Sequence, residues 1–226
     1  MFTSLRTFLL LIALFAFTLN AQAQTPPTKE QILEWWVPTY SNEIFSFYDE
    51  VNLIEVRLRD QEVAYICEVT FPRGRNFMFR SILIRPTIKE TREILDYIYA
   101  VDHVYDLDQN GVSEIVGRAF GSGQGITAGA QSIVQFDGWE PIVLYKSSYT
   151  ENGNAWGVND YRYYAKKMDW KFVDLNGDGI IDLDETITYE EGRNKRPPVI
   201  TNYRYKWIFY DNRFMRLHEY EALLKR

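Results

Sequence analysis

Short runs of β-branched and aromatic residues, separated by turn residues, make up most of the chain after Asn52. No long stretch there keeps the 3.6-residue period of an amphipathic helix, and runs of this length and composition are typical of strands. The pattern predicts strands over residues 53–59, 62–71, 77–85, 97–105, 113–119, 131–136, 141–147, 162–173, 185–190, 203–209 and 213–218. The charge pattern of residues 89–96 allows a helical turn at that point.

Helix and turn signals complete the set of elements. Thr28 followed by Gln31 forms a capping box, which predicts a short helix that Pro38 ends. The pairs Asp137-Gly138 and Asp211-Asn212 supply the left-handed backbone positions that two-residue hairpin turns need. The sequence therefore predicts a mainly all-β fold with a short N-terminal helix, in which antiparallel blade-like sheets form a partial β-propeller-like or a sandwich-like arrangement.

The first 23 residues have the order of a secretory signal peptide: Arg6, an apolar run from Phe8 to Leu19, and the small residues Ala21 and Ala23. That run is shorter than the roughly 20 residues that a membrane-spanning helix needs. We therefore expect an exported protein, periplasmic or extracellular, with no transmembrane segment in the mature chain. The predicted organisation is a signal peptide over 1–23, a linker and short helix over 24–50, and a β-rich domain over 51–226.

Charge and cysteine content narrow the classes of partner. Without the signal peptide the chain has 24 basic and 31 acidic residues, a net charge of −7. Nucleic acids and anionic membranes attract clustered Lys and Arg, so we expect neither as a partner. Cys67 is the only cysteine, which rules out an internal disulfide, and its apolar surroundings predict a buried, inert thiol.

A faint internal repeat runs through the chain. The segment DLDQNGVSEIV, starting at Asp106, is followed after 31 residues by the turn at Asp137, and DLNGDGIIDL, starting at Asp174, is followed after 37 residues by the turn at Asp211. Each unit would contain an oxygen-rich loop, an outward excursion and a hairpin. The segment VRLRDQEVAYI is a candidate third copy without the loop.

The stretch DLNGDGIIDLDE, which begins at Asp174, has the spacing of a calcium loop. Alternate residues of such a tightly wound loop point inward, and Ca²⁺ takes six to eight oxygen ligands at about 2.3–2.6 Å. Glycine at position six allows a backbone conformation that side chains resist. The predicted ligands, at positions one, three, five, seven, nine and twelve, are Asp174, Asn176, Asp178, the carbonyl of Ile180, Asp182 and Glu185.

The stretch that begins at Asp106 matches the same spacing less fully. Position twelve is Gly117, which has no side chain to offer, so the coordination would be completed by water, by the ninth residue or by another segment. The predicted ligands at positions one, three, five, seven and nine are Asp106, Asp108, Asn110, the carbonyl of Val112 and Glu114.

Both loops, with their adjoining strands, resemble the calcium loops of integrin-type FG-GAP or VCBS repeats, in which a DxDxDG turn joins blade strands of a β-propeller. The resemblance implies that the ligands are Asp106, Asp108, Asn110, Glu114, Asp174, Asn176, Asp178 and Asp182. Asn110 and Asn176 stand where that motif has acids, and the complete signature of Phe-Gly with Gly-Ala-Pro is absent, since the chain has no Gly-Ala-Pro. Through Glu185 the second loop equally resembles an EF-hand or dockerin loop.

The segments beside the loops favour a structural metal over a calcium switch. A helix-loop-helix sensor needs amphipathic helices on both sides, but VSEIVGRAF and ETITYEEG are short and β-branched, although YYAKKMDWKFV is compatible with a helix. We expect a non-enzymatic binding or adhesion protein with structural Ca²⁺ and a glycan or cell-surface protein as partner. The alternatives are a secreted carbohydrate-active enzyme supported by Ca²⁺ and a periplasmic EF-hand-type protein.

Other candidate sites carry weaker signals. The glycine-rich stretch from Gly117 lacks the lysine of a phosphate-binding loop and predicts a flexible hairpin connection. His103 and His218 lie far apart without a nucleophile motif, so no catalytic residue is assigned. Carboxylate pairs for glycoside hydrolysis leave no sequence signature. Most aromatic residues predict core or sheet contacts, with Trp139, Trp156 and Trp207 as candidates for a sugar-stacking surface.

Overall fold

The computed structural model describes residues 25–38, 45–47, 51–73, 76–94, 97–123, 126–153, 162–193 and 197–225. The predicted signal peptide and Trp156 lie outside these residues. Strands account for most of the described chain, which confirms the all-β prediction. In chain order the elements are α1 (Lys29–Glu34), β1 (Ser46–Phe47), β2 (Ile54–Arg57), β3 (Val63–Arg73), β4 (Asn76–Arg85), β5 (Glu90–Ile94), β6 (Ala100–Tyr105), β7 (Glu114–Gly123), β8 (Ile126–Asp137), β9 (Glu140–Gly153), β10 (Arg162–Val173), β11 (Asp182–Arg193), β12 (Val199–Tyr210), β13 (Arg213–Arg216) and α2 (Leu217–Leu224).

Two antiparallel sheets contain these strands. β6 to β13 form an eight-stranded sheet in which each strand pairs with the next one along the chain. β3, β4 and β5 continue the same pattern in a five-stranded sheet, and β1 and β2 both pair with the remaining edge of β3. The predicted antiparallel pairing is therefore confirmed, and short connections between consecutive strands account for the order.

The internal repeat of the sequence corresponds to three four-stranded units of the described chain: β2–β5, β6–β9 and β10–β13. In each unit a turn or loop joins the first two strands. The backbone N–H at position eight of each oxygen-rich loop donates to a carbonyl of the preceding unit. These bonds run from Ser113 N to Arg57 O and from Ile181 N to Leu107 O, both at 2.9 Å. Successive units are thus joined in the same way.

An apolar core lies between the two sheets. Ile66 and Leu83 from the first sheet meet Ile115 and Val134 from the second, and all four are at most 1% exposed. Burying a side chain of this size contributes about 1.5–3 kcal/mol. The core gives the molecule the sandwich-like packing that the sequence predicted as one of two arrangements.

α1 covers the opposite face of the first sheet. Thr28 Oγ1 accepts the backbone N–H of Gln31 at 3.4 Å, and Gln31 Oε1 accepts the N–H of Thr28 at 2.8 Å, so the predicted capping box and helix are confirmed. Ile32 of this helix is fully buried in a cluster that includes Cys67 of the sheet. Burial raises the pKa of the Cys67 thiol to about 11, as expected for an inert cysteine.

Some element predictions were wrong. Residues 95 and 96 lie outside the described residues, but residues 90–94 form β5 rather than a helical turn, because Thr91 and Ile94 are buried and Thr91 exchanges backbone hydrogen bonds with Trp35 and Val37. The last predicted strand ends at Arg216, and the eight residues after it form α2. Most of the glycine-rich stretch belongs to β7 and β8 rather than to a flexible connection.

Within the described ranges, no helix is both long enough and apolar enough to span a membrane.

Candidate metal-binding loops

Two oxygen-rich loops connect neighbouring strands of the eight-stranded sheet. The first loop, residues 106–114, lies between β6 and β7, and the second loop, residues 174–182, lies between β10 and β11. In both, the strand before the loop ends one residue before position one, and the strand after it begins at position nine, which is Glu114 or Asp182. Strands therefore flank each loop on both sides, where a helix-loop-helix site would have helices.

The backbone bends at equivalent positions in the two loops. Positions four and six have left-handed φ angles in both: 59° at Gln109 and 83° at Gly111, and 81° at Gly177 and 86° at Gly179. Glycine adopts such angles without steric cost, which explains the glycine at position six of each loop. The two loops thus wind in the same way although their sequences differ.

Equivalent hydrogen bonds hold the loop oxygens in place. In both loops the N–H at position six donates to the carboxylate at position one, and the N–H at position seven donates to the side-chain oxygen at position five. The bonds are Gly111 N to Asp106 Oδ2 (3.0 Å) and Val112 N to Asn110 Oδ1 (2.7 Å) in the first loop, and Gly179 N to Asp174 Oδ2 (3.0 Å) and Ile180 N to Asp178 Oδ1 (2.8 Å) in the second. Backbone donors therefore fix the positions of these side-chain oxygens in both loops.

The carboxylate at position nine is buried in both loops, with 0% exposure for Glu114 and Asp182. One oxygen accepts the N–H at position two, at 2.6 Å from Leu107 N or 2.9 Å from Leu175 N. The other oxygen accepts from the strand that follows in the sheet. For Glu114 that donor is the side-chain amide of Gln135, and for Asp182 it is the backbone N–H of Phe209 at 2.8 Å. Both carboxylates are held by neutral donors alone.

Carboxylate oxygens converge most closely in the first loop. One oxygen each from Asp106, Asp108 and Glu114 lie within 4.8 Å of one another, so this group could hold a metal ion. Across the described ranges no other group of three acidic, histidine or cysteine residues is this close, so the carboxylate oxygens of the second loop lie farther apart than those of the first loop. The nearby Asn110 amide nitrogen donates to Asp108 Oδ2 at 2.9 Å.

Among the described residues, no cationic side chain balances the negative charge of the loops. The pKa of Glu114 is raised to about 7, mainly by burial and also by the carboxylates of Asp108 and Asp106, whereas its two hydrogen bonds act in the opposite direction. Burial also raises the pKa of Asp182, whereas the N–H groups of Gly179 and Gly177 lower that of Asp174. No Lys or Arg of the described segments forms an ion pair with these carboxylates. A hard cation would supply the missing positive charge.

The two loops contact each other at one end of the sheet. Gln109 Nε2 donates to Gly179 O at 2.9 Å, in addition to the backbone bond from Ile181 N to Leu107 O. Leu107 is fully buried in a cluster with Leu183, against which Ile180 and Ile181 pack. A displacement of one loop would therefore disturb contacts of the other loop.

Glu185, the predicted ligand at position twelve, is not brought to the second loop. It is the fourth residue of β11 and lies on the sheet face opposite to Asp182, because side chains alternate along a strand. Its carboxylate accepts hydrogen bonds from Tyr145 Oη at 2.7 Å, Trp170 Nε1 at 3.1 Å and Trp207 Nε1 at 3.2 Å. Sequence reasoning missed this cluster because its donors come from three separate strands.

The tryptophans proposed for sugar stacking are engaged within the fold. Trp139 is partly buried against the inter-sheet core, with the guanidinium groups of Arg85 and Arg92 at 5.2 and 4.6 Å from its ring centroid. Trp207 donates to Glu185, and the guanidinium of Arg216 lies 4.9 Å from its ring. Both rings therefore have structural contacts of their own.

Comparison with known proteins finds no matching family model, no matching curated protein and no matching solved structure.

Proposed function

We propose that this chain is an exported, non-enzymatic β-repeat protein whose two loops bind Ca²⁺ as structural metal ions. The observation that carries the proposal is the agreement of the two loops, position by position, in strand ends, left-handed residues and N–H to carboxylate bonds. An acidic turn that only contacts solvent does not need this matching set of backbone angles and hydrogen bonds. Side-chain oxygens that backbone donors hold in a tightly wound loop are the kind of arrangement that a hard cation requires.

The chemistry of the donor groups favours Ca²⁺ over a transition metal. Every candidate ligand is an oxygen, and neither loop contains histidine or cysteine, which Zn²⁺ and copper prefer. One ion would be held by Asp106, Asp108, Asn110, the Val112 carbonyl and Glu114, and the other by Asp174, Asn176, Asp178, the Ile180 carbonyl and Asp182. Water would complete the six to eight ligands of Ca²⁺.

Strands on both sides of each loop support a structural role for the metal. A paired strand cannot swing open as the helices of a calcium sensor do. Extracellular calcium sites bind at about 0.1–1 mM, so at 1 mM Ca²⁺ a site with a dissociation constant of about 0.1 mM adds about 1.4 kcal/mol of stability. An increment of this size stabilises a fold without producing a signalling response.

The resemblance of both loops to FG-GAP or VCBS repeats supports a binding or adhesion role. In this proposal the sheets, held at one end by the two ions, present a surface to a glycan or to a cell-surface protein. The signal-peptide pattern of residues 1–23 supports export to the periplasm or the cell exterior, where calcium at such concentrations is available.

Calcium titration by calorimetry tests the proposal, because it measures the number of sites and their affinity together. We expect two ions per chain. Asp106→Ala and Asp174→Ala should each remove one ion, since each deletes the carboxylate that accepts the position-six N–H.

Asp60→Ala is the matched control. Asp60 lies in the turn of the first unit, which has no oxygen-rich loop, and its side chain is 49% exposed. This variant should still bind two ions. Absence of heat and of calcium uptake in the unmodified protein would rule out the proposal.

A further inference from the structure

Among the described strands, none covers the outer edge of β12 over most of its length. β12 pairs with β11 from Val199 to Trp207, but with β13 only from Trp207 to Tyr210. No strand of the described chain pairs with residues 199–206 on that outer side. Val199, Ile200 and Tyr203 are 70%, 58% and 48% exposed. Folded proteins usually block such an edge, because unpaired N–H and C=O groups beside apolar side chains form a template for another strand.

The turn after β12 determines which backbone groups face outward. Asp211 and Asn212 have φ angles of 52° and 56°, so the turn is a two-residue hairpin turn closed by the hydrogen-bonded pair of Tyr210 and Arg213. Backbone groups alternate in direction along a strand. Counting back from Tyr210, the N–H and C=O groups of Ile200, Asn202, Arg204 and Lys206 therefore point to the open side.

Two features bound the free edge. Pro198, before its start, has no N–H to donate, and Trp207, after its end, is already opposite Arg216 of β13. The segment between them reads VITNYRYK, and its first seven residues are centred on Asn202.

We propose that a second copy of this chain binds to this edge, with the two β12 strands pairing antiparallel about a two-fold axis at Asn202. In that register Asn202 lies opposite itself, and the outward-facing Ile200 lies opposite the partner's Arg204. Three hydrogen-bonded residue pairs then form, giving about six backbone hydrogen bonds. The two eight-stranded sheets become one continuous sheet.

The side chains are compatible with this register. Val199 lies opposite the partner's Tyr205 and Thr201 opposite the partner's Tyr203, which are the β-branched and aromatic pairs that stabilise neighbouring strands. No two like charges lie opposite each other, because Arg204 faces an apolar residue. An interface of one strand from each copy is small, so we expect a dimer that dissociates in the micromolar range.

Sedimentation velocity of the purified protein at a series of micromolar concentrations tests the proposal. We expect a monomer–dimer equilibrium. Ile200→Lys places a lysine opposite the partner's Arg204, and does so twice by symmetry, so its dissociation constant should rise by roughly tenfold. Ile200→Glu places opposite charges there and should keep the dimer as tight as the unmodified protein or tighter.

Ile88→Lys is the control for loss of an exposed apolar residue. Ile88 is 44% exposed in the turn before β5, away from the free edge, and this variant should dimerise like the unmodified protein. Thermal melting checks that the exposed substitutions leave the fold intact. A protein that is monomeric at every concentration overturns the proposal, as does equal weakening of the dimer by Ile200→Lys and Ile200→Glu.

Discussion

The carboxylate of Glu185 is held by donors from three strands around β11. Tyr145 comes from β9, Trp170 from β10 and Trp207 from β12. The rings also pack on one another, with centroid distances of 5.4 Å for Tyr145 and Trp170 and 4.9 Å for Tyr145 and Trp207. Glu185 is 1% exposed. Hydrogen bonds to a buried charged group contribute more than neutral ones, so this cluster binds β9 firmly to the face of β10–β12.

Glu185→Gln is expected to lower the free energy of unfolding by about 1–3 kcal/mol. A glutamine side chain has one acceptor oxygen and an NH₂ group, which cannot accept from the tryptophan and tyrosine donors. Urea denaturation should show the same loss in calcium and in a chelator, because the residue does not reach the second loop. Glu191→Gln, at an exposed position of the same strand, should change stability by less than about 0.5 kcal/mol. A loss of one calcium ion from Glu185→Gln would instead make Glu185 a ligand.

Residue spacing predicted a loop that ends near position nine in each case, but it could not predict where the side chain at position twelve points. Loop spacing determines the direction of a side chain only while the chain follows the loop path, and in both loops a strand begins at position nine. From Asp182 onward, side chains alternate between two faces, so Glu185 points away from Asp182. The sequence does not state where the strand begins, because Asp182 is a poor strand former by propensity. Pairing of Asp182 with Val173 of β10 overrides that propensity.

At the scale of elements, the hairpin of β7 and β8 depends on close backbone approach. A Cβ atom on Gly129 would lie 2.5 Å from Ala119 O and 2.5 Å from Tyr149 Oη. Ala119 belongs to the neighbouring strand β7 and Tyr149 to β9, so neither a backbone shift nor a side-chain rotation alone relieves the contact. The glycine therefore allows three strands to stay in register.

Gly129→Ala should destabilise the protein by about 1–3 kcal/mol, since the added methyl group overpacks this site. Gly121→Ala provides a matched control in the same hairpin. No atom lies within 4 Å of its added Cβ, so its free energy of unfolding should stay within about 0.5 kcal/mol of the unmodified value. Thermal or urea denaturation of the two variants side by side measures the difference. Equal stability of the two variants would contradict the packing argument.

The existence of all strands except β1 and β5 could be predicted from the sequence, but strand length could not. β-branched and aromatic runs marked the half of each strand that lies near a core, as in residues 131–136 of β8. The outer half of β8 contains small and polar residues, and it is held in the sheet by pairing with β7 and β9 rather than by its own propensity. α2 was missed because it follows β13 without a separating turn, and its N-cap Arg216 provides no side-chain cap for the helix N–H groups.

At the scale of the whole molecule, three similar units are joined along their loop ends. The bond from Ser113 N to Arg57 O joins the first two units, and the bond from Ile181 N to Leu107 O joins the second and third. Each unit contributes strands that need a neighbour to bury their apolar faces, as repeat architectures do. The proposed metal ions would lie at these junctions, so their effect should extend to the stability of all the units rather than to one loop.

Calcium is expected to raise the melting temperature by about 3–6 °C for each occupied site, because about 1.4 kcal/mol of binding energy acts on a protein of this size. The far-ultraviolet circular dichroism spectrum should not change, since the strands beside both loops are already paired within the sheet. Calorimetric melting in about 1 mM Ca²⁺, a concentration in the affinity range of extracellular sites, and in a chelator measures the shift. The double variant Asp106→Ala/Asp174→Ala should melt at one temperature in both buffers. A gain of helical signal on adding calcium would contradict this proposal, because it would mean that the segments beside the loops become helical when the ion binds. In the proposed role the flanking segments remain paired strands, and the ion only stabilises the loops between them.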